Sequence, residues 1–241
     1  MARTQEQQAA ELISRARQIL VTTRELPSLD TLASAFALGQ VLKRAKKAFD
    51  LVIPGWKKTN ELPTFLSPQD LPITDKIGAV RAFHIKLNVQ DVPLSELMYD
   101  VRDGQLDITL LPRHGDWKPE DVVFQSGLDR YDLVITLDAA DMTSLGSLGQ
   151  EQAEFLYRTP IINIDCSSRN EYWGQVNLVD LTAVSTSEVL YQWIKEWNPA
   201  VIDEAIATPL LAGMIARTKS FRTNNVTPRT LAVSSDLIEK G

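Results

Sequence analysis

The 241-residue sequence predicts an α/β fold, an open and mostly parallel sheet flanked by helices, with an antiparallel hairpin inserted. Three observations carry that expectation. YDLVITLD (131–138) and TPIINID (159–165) are continuous apolar runs that each close on an Asp, the pattern of strands buried on both faces of a parallel sheet. Around them, segments with apolar residues at helical spacing alternate with strand runs. Between 79 and 124 the alternation gives way to ELMYDV, RDGQ and LDITLL, where Asp103-Gly104 supplies the positive φ angles of a tight hairpin turn.

Taken in order, residues 5–20 set Leu12, Ile13, Ala16, Ile19 and Leu20 at helical spacing, and Val21 to Thr23 open a short strand or loop. A second helix starts at Asp30, which occupies an N-cap position, and closes on Lys43, Arg44, Lys46 and Lys47, cations that suit a helix C-terminus. FDLVIPG is a short buried strand with a Pro-Gly stop, and the turn-rich stretch from Trp56 to Asp75 wraps the surface. AVRAFHIKLNV (79–89) is a strand leading into the hairpin. Residues 142–157 are the crossover helix between the two apolar strands. Ser185-Thr-Ser-Glu188 is a capping box that opens a helix with Val189, Leu190, Trp193, Ile194 and Trp197 on its apolar stripe. Another helix spans 202–215, and Thr227-Pro228, an N-cap followed by proline at the first helical position, starts the last. In such a sheet ligands sit beyond the carboxyl edge, which brings Asp138 and Asp165 near the site.

Composition narrows the function classes. A single cysteine, Cys166, excludes an intramolecular disulfide, and no apolar run approaches the roughly 18 residues of a membrane span. The N-terminus interleaves charges with Leu and Ile and lacks a secretory pattern, so a cytoplasmic protein without membrane association is expected. Lys and Arg number 25 against 31 Asp and Glu, and a net charge of −6 disfavours bulk binding to nucleic acid or anionic lipid.

Four segments, in order, resemble the DHH phosphoesterase family, which includes RecJ-type exonucleases, nanoRNases, cyclic-dinucleotide phosphodiesterases and exopolyphosphatases. PIINIDCSSRNEYWGQVNLVDLTAVSTSEVLY (160–191) follows the signature segment, with Asp165-Cys166-Ser167 where the family has Asp-His-His. LPSLDTLASAFAL (26–38), DLVITLDAAD (132–141) and LLAGMIARTKSFRTNNVTPRTL (210–231) are similar to the first, second and fourth motifs, the last normally Gly-x-x-x-Asp-Thr-Gly-x-Phe. The resemblance implies a DHH-type α/β domain over 1–241, with 79–124 as an insertion; the family's glycine-rich C-terminal substrate-binding domain is absent from this sequence, as in a fragment or in a protein that has lost it.

It also implies a site. Family enzymes hold two divalent metals, usually manganese, to activate water and neutralise a phosphoryl oxygen. The six ligand positions fall here on Arg24, Ser28, Asp30, Asp138, Cys166 and Arg217, so only Asp30 and Asp138 survive as vestigial ligands. A guanidinium cannot deprotonate in a protein, so each of the two arginines brings permanent positive charge where a cation would sit. Neither His84 nor His114 falls in a motif.

The expected function is therefore a DHH-like protein with a degraded two-metal site, impaired or inactive, that retains a phosphate- or nucleotide-binding cleft. Its candidate anion set is Arg24, Ser28, Arg217, Lys219 and Arg222, the last two from the basic run RTKSFRTNNVTPR (217–229), and no cofactor is expected. Surviving acids would be structural, with Asp30 capping its helix and Asp138 paired to Arg24 or Arg217. One alternative is an active phosphoesterase on short oligonucleotides, cyclic dinucleotides or polyphosphate. It would use Mn2+ or Mg2+ at a sparse site of Asp30, Asp138, Asp165 and Cys166. Another is a scaffold whose sheet edge or 79–124 insertion mediates homodimer formation. Plainer roles stand beside these: turn or cap residues for Asp138 and Asp165, a small buried residue for Cys166, and core and helix packing for the tryptophans, among which Trp173 has cleft lining as its sharper reading.

Overall fold

The computed structural model describes residues 3–56, 62, 63, 66, 70–78 and 80–241. Half of the turn-rich stretch expected over 56–75 lies outside the described residues. The chain divides into two compact units, Met1–Val80 with Tyr131–Gly241, and Arg81–Arg130.

The first unit begins with α1 (Gln5–Arg15), β1 (Gln18–Thr23), α2 (Leu29–Arg44), β2 (Ala48–Val52) and β3 (Ile73–Thr74). The chain then forms β4 (Arg81–Leu87), β5 (Leu94–Arg102), β6 (Gln105–Pro112) and β7 (Val122–Asp129) of the second unit. It returns with β8 (Leu133–Leu137), α3 (Ser147–Glu151), α4 (Ala153–Arg158), β9 (Ile161–Asp165), β10 (Val176–Val179), α5 (Thr186–Trp197), α6 (Glu204–Arg217) and α7 (Pro228–Ile238). The six strands of the first unit form one sheet in the order β10-β9-β8-β1-β2-β3, every pair parallel. From β1 the chain winds outward to β2 and β3, then restarts at β8 and winds the other way to β9 and β10. The reversal opens a crevice beyond the carboxyl ends of β1 and β8.

The sheet is covered on both faces, which is why its strands read as unbroken apolar runs. Leu38, Val41, Leu42, Leu190, Ile206 and Leu237 from α2, α5, α6 and α7 join Ile19, Val21, Ile135 and Ile162 in one core. Leu145, Leu148, Phe155 and Leu156 pack with Leu20, Val134 and Ile161 in the other. Each fully buried Leu, Ile or Phe contributes roughly 1.5–3 kcal/mol relative to an exposed one.

Several elements differ from the sequence expectation. The first helix stops at Arg15, and Ile19 and Leu20, assigned to it by spacing, lie in the middle strand β1 with no exposure at all. Asp132 secures that break, because its carboxylate accepts the N–H groups of Arg17 and Gln18 at 3.0 Å, donors that a continued helix would have used internally. Ser28, not Asp30, is the N-cap of α2. The crossover over 142–157 is a 3₁₀ turn at Met142–Leu145 followed by α3 and α4, interrupted at Gly146, whose φ of 61° no helix accommodates, and at Gln152. Helix α6 is shifted two residues toward the C-terminus from the expected 202–215, starting at Glu204 after the Asp203 N-cap and ending at Arg217. The N-cap expectations at Ser185 and Thr227 match the structure.

In the second unit β5 pairs antiparallel with β6, and β4 with β7. Asp103 and Gly104 have φ of 53° and 76°, both positive as a two-residue turn of this hand requires. The insertion closes at 130 rather than 124 because Val122–Asp129 pairs back on Arg81–Leu87, so the excursion consists of two nested antiparallel pairs, β4 with β7 and β5 with β6. Among the described residues no helix is long and apolar enough to cross a membrane.

Candidate anion site

The carboxyl ends of β1, β8 and β9 converge at the crevice. The Arg24 N–H donates to the Leu137 carbonyl at 3.2 Å and the Asp138 N–H to the Ile164 carbonyl at 3.0 Å, so both residues are held by an extension of the sheet ladder. Asp138 sits there with φ of 56°, a left-handed conformation that Asp tolerates better than most side chains. Thr31, from the first turn of α2, donates to Asp138 Oδ2 at 2.6 Å.

Asp30 has a different task from the one expected of it. Its carboxylate is 3% exposed and accepts from the Thr186 N–H at 2.9 Å, the Ser187 N–H at 3.1 Å and the Ser187 hydroxyl at 2.6 Å. It therefore caps α5, whose first-turn N–H groups have no partner within their own helix, rather than its own helix. Ser34 supports the arrangement with its hydroxyl 3.0 Å from that of Ser187. Burial pushes the Asp30 carboxyl above the usual carboxylate range, against the pull of these donors and of the Arg217 charge. Asp165 is fully buried and tied to its own loop: Oδ1 accepts the Cys166 and Ser167 N–H groups at 2.7 and 3.1 Å, and Oδ2 the Asn170 amide at 2.7 Å.

Above these acids lies a pocket of about 280 Å³ lined by Arg24, Asp138, Asp141, Ser144, Asp165, Ser167, Arg169 and Arg217. The three guanidiniums that face it, from Arg24, Arg169 and Arg217, make no hydrogen bond or ion pair among the described residues. The Asp138 carboxyl is not ion-paired to either Arg24 or Arg217 as expected; its bonded partner is Thr31, and Arg24 acts on it only through its field. Burial raises the Asp138 carboxyl, reinforced by the Asp30 and Asp165 charges.

These donors do not fit a pair of divalent metals. The oxygens of Asp30 and Asp165 already serve protein donors, and burial beside Asp30, Asp165 and Asp138 pushes the Cys166 thiol up to about 12, leaving no thiolate at neutral pH. Among the described residues, no three His, Cys, Asp or Glu are grouped so as to hold a metal ion. Around this small opening stand three permanently charged arginines and two serines, beside Asp138, Asp141 and Asp165, whose carboxylates already accept from Thr31, from Thr143 and Ser144, and from Cys166, Ser167 and Asn170; the unbonded guanidiniums are the groups left to meet an oxyanion.

Of the expected anion set, the structure brings Arg24 and Arg217 to the pocket and leaves three residues out of its lining. The Ser28 hydroxyl is spent on the Thr31 N–H, the Arg222 Nε donates to the Lys219 carbonyl at 2.9 Å, and Lys219 is exposed in a turn. That turn is unusual, for Lys219, Ser220 and Phe221 have φ of 50°, 61° and 62°, and Thr218 braces it by accepting the Phe221 N–H at 2.9 Å. Trp173 lines a separate cleft with Tyr157 and Glu171. Arg169 was not singled out from sequence, although its position four residues beyond a strand-ending Asp is a signal that could have found it. A larger cleft of about 580 Å³ between α2 and α6 has no basic side chain in its lining among the described residues.

No family model matches the chain. Over 188 residues it is 25% identical to the bifunctional oligoribonuclease and PAP phosphatase NrnA of Thermus thermophilus, an alignment that covers 76% of this chain and 52% of the relative. The chain thus spans about half the length of that curated relative. Among solved structures, an exopolyphosphatase-related protein from Bacteroides fragilis superposes with a TM-score of 0.64 at 16% identity, covering 98% of this chain and 56% of the other. The fold is of the DHH phosphoesterase-like α/β kind, and the relatives support a phosphoesterase-like protein in general terms.

Proposed function

We infer that this chain binds a phosphoryl group in the pocket at the carboxyl ends of β1, β8 and β9 through guanidinium charge, in place of the two-metal hydrolysis of DHH enzymes. The single observation behind this reading is that Arg24, Arg169 and Arg217 all line one pocket and have no partner there among the described residues. A guanidinium offers paired N–H donors matched to phosphate and needs no metal to stay charged. The relative's oligoribonuclease and PAP phosphatase activities make phosphorylated nucleotides the ligand class to try.

The test is titration calorimetry with a 5′-phosphorylated dinucleotide and with pyrophosphate, in EDTA and in Mn2+. Binding should be the same in both, and Arg24→Gln or Arg217→Gln should weaken it at least tenfold. Binding that needs Mn2+, or Mn2+-dependent hydrolysis lost in Asp138→Ala, would overturn the reading in favour of a working phosphoesterase.

A further inference from the structure

The pocket at the carboxyl ends of β1, β8 and β9 is not lined by donors alone. Asp141, just beyond β8, is the N-cap of the 3₁₀ turn Met142–Leu145, and one of its oxygens serves that turn entirely. Oδ1 accepts the Ser144 N–H at 2.8 Å and the Thr143 and Ser144 hydroxyls at 2.6 and 3.1 Å. Among the described residues nothing hydrogen-bonds to Oδ2, and Asp141 lines the pocket together with Arg24, Arg169 and Arg217. The Thr143 hydroxyl and the Ser144 N–H hold its carboxyl below the usual carboxylate range, so the group is charged at neutral pH. Asp138 leaves Oδ1 unbonded too, but burial and the Asp30 and Asp165 charges raise its carboxyl, which makes Asp141 the acceptor whose charge is secure. On the donor side, the Ser167 oxygen accepts the Arg169 N–H at 3.2 Å while its own proton has no acceptor among the described residues.

We propose that Asp141 is a specificity-determining residue whose free Oδ2 accepts a ligand hydroxyl close to the phosphoryl group. The pocket then prefers a phosphate ester bearing such a hydroxyl to a polyphosphate. The assignment rests on the phosphoryl-binding reading of the same pocket and goes beyond it, because guanidiniums alone do not tell these ligands apart. A phosphoryl group at neutral pH presents negative charge and acceptor oxygens. A chain of phosphates therefore has nothing to donate to a carboxylate and is repelled by it, whereas a hydroxyl meets it with a charge-assisted hydrogen bond. An acceptor desolvated against a ligand without that hydroxyl is left unpaired, and this loss is how a site rejects the analogue. Size agrees. At about 280 Å³ the pocket lies at the lower end of ligand sites, roughly 300–1,000 Å³, which leaves room for a phosphorylated sugar with any base outside.

Calorimetric titration of the full chain in EDTA tests this with adenosine 5′-monophosphate, its 2′,3′-dideoxy analogue, ribose 5-phosphate and pyrophosphate. The dideoxy compound should bind at least about tenfold more weakly than adenosine 5′-monophosphate. Asp141→Ser, which keeps an N-cap hydroxyl and withdraws the second oxygen, should bring that ratio to within about threefold. Ribose 5-phosphate binding like the nucleotide marks a sugar phosphate as the ligand, and weaker binding marks a nucleotide. Equal binding of the two adenosine compounds by wild type overturns the proposal, as does a ratio that survives in folded Asp141→Ser. Pyrophosphate still bound in those cases leaves the phosphoryl reading standing, and a wild type that binds none of these compounds removes both. Should Asp141→Ser not fold, Asp141→Asn, which keeps both shape and cap, should lower the ratio by at least about threefold, and an unchanged ratio refutes the assignment.

Discussion

Gly213 lies inside α6 where that helix rides over the start of α5, and it is the glycine that the fourth-motif pattern retains. A Cβ at this position would stand 2.8 Å from Asp30 Oδ1, 3.1 Å from Ser187 Cβ and closer still to the Ser187 hydroxyl oxygen. Neither neighbour has room to withdraw, since Ser187 is wholly buried and Asp30 nearly so. For Gly213→Ala, overpacking costs about 1–3 kcal/mol, and pushing the Ser187 hydroxyl off a buried carboxylate about 1.5–3 kcal/mol more. The helix preference of Ala over Gly returns about 1 kcal/mol. The net loss should be about 1.5–5 kcal/mol, read in urea as a lower midpoint at unchanged slope. Ser187→Ala removes the atom in the way, so the double variant should lose at least ~1 kcal/mol less than the two singles together. A loss below ~1 kcal/mol for Gly213→Ala, or strict additivity, would mean that α6 does not seat on Asp30 and Ser187 at this distance.

Three further outcomes are expected. Lys219→Gly should stabilise the protein by roughly 0.5–1 kcal/mol in urea unfolding, because glycine adopts φ of 50° without the ~1–2 kcal/mol cost of a side chain, partly offset by its freer unfolded chain; a lower midpoint counts against it. Cys166, with its thiol pushed up to about 12, should react with iodoacetamide at pH 8 at least about a hundredfold more slowly in the folded chain than in urea, and equal rates would contradict its placement. Asp138 has a raised carboxyl, so its protonated form favours the folded state: that contribution is full below the ordinary carboxylate value and disappears as pH rises through the raised one. Thermal midpoints of wild type should therefore fall relative to Asp138→Asn from about pH 4 upward, whereas parallel curves would show that the carboxyl is not raised.

The parts of the fold legible in the sequence are those where one physical signal acts alone. Strands β8 and β9 are buried on both faces and bounded by Asp, and Asp103-Gly104 admits few conformations other than a tight turn. Ile19 and Leu20 misled because they continue the helical spacing of Leu12, Ile13 and Ala16, and only the distant carboxylate of Asp132 decides that the helix ends before them. Strand β10, four residues with Asn177 inside, is too short to declare itself. The same limit governed the site. Asp138 and Asp165 could be placed at strand ends, but the work of Asp30 depends on N–H groups 156 residues away, beyond the reach of any local pattern. Arg24 and Arg217 stood out by replacing expected ligands, while Arg169 replaced nothing and went unmarked.

The base of the insertion bears on how the chain assembles. Arg81 and Asp129 are paired across β4 and β7, so the two ends of a 50-residue excursion leave the sheet side by side. Strand β8 must find β1 from far along the sequence, and the entropy of closing that loop grows with the logarithm of its length, about 0.6 kcal/mol per doubling. Once the hairpin has zipped from Asp103-Gly104 to its base, those residues no longer count as slack, and the route from β3 to β8 is shortened to the segments on either side of the Arg81–Asp129 pair. The insertion can therefore lengthen, shorten or change sequence while the central sheet retains the same search problem.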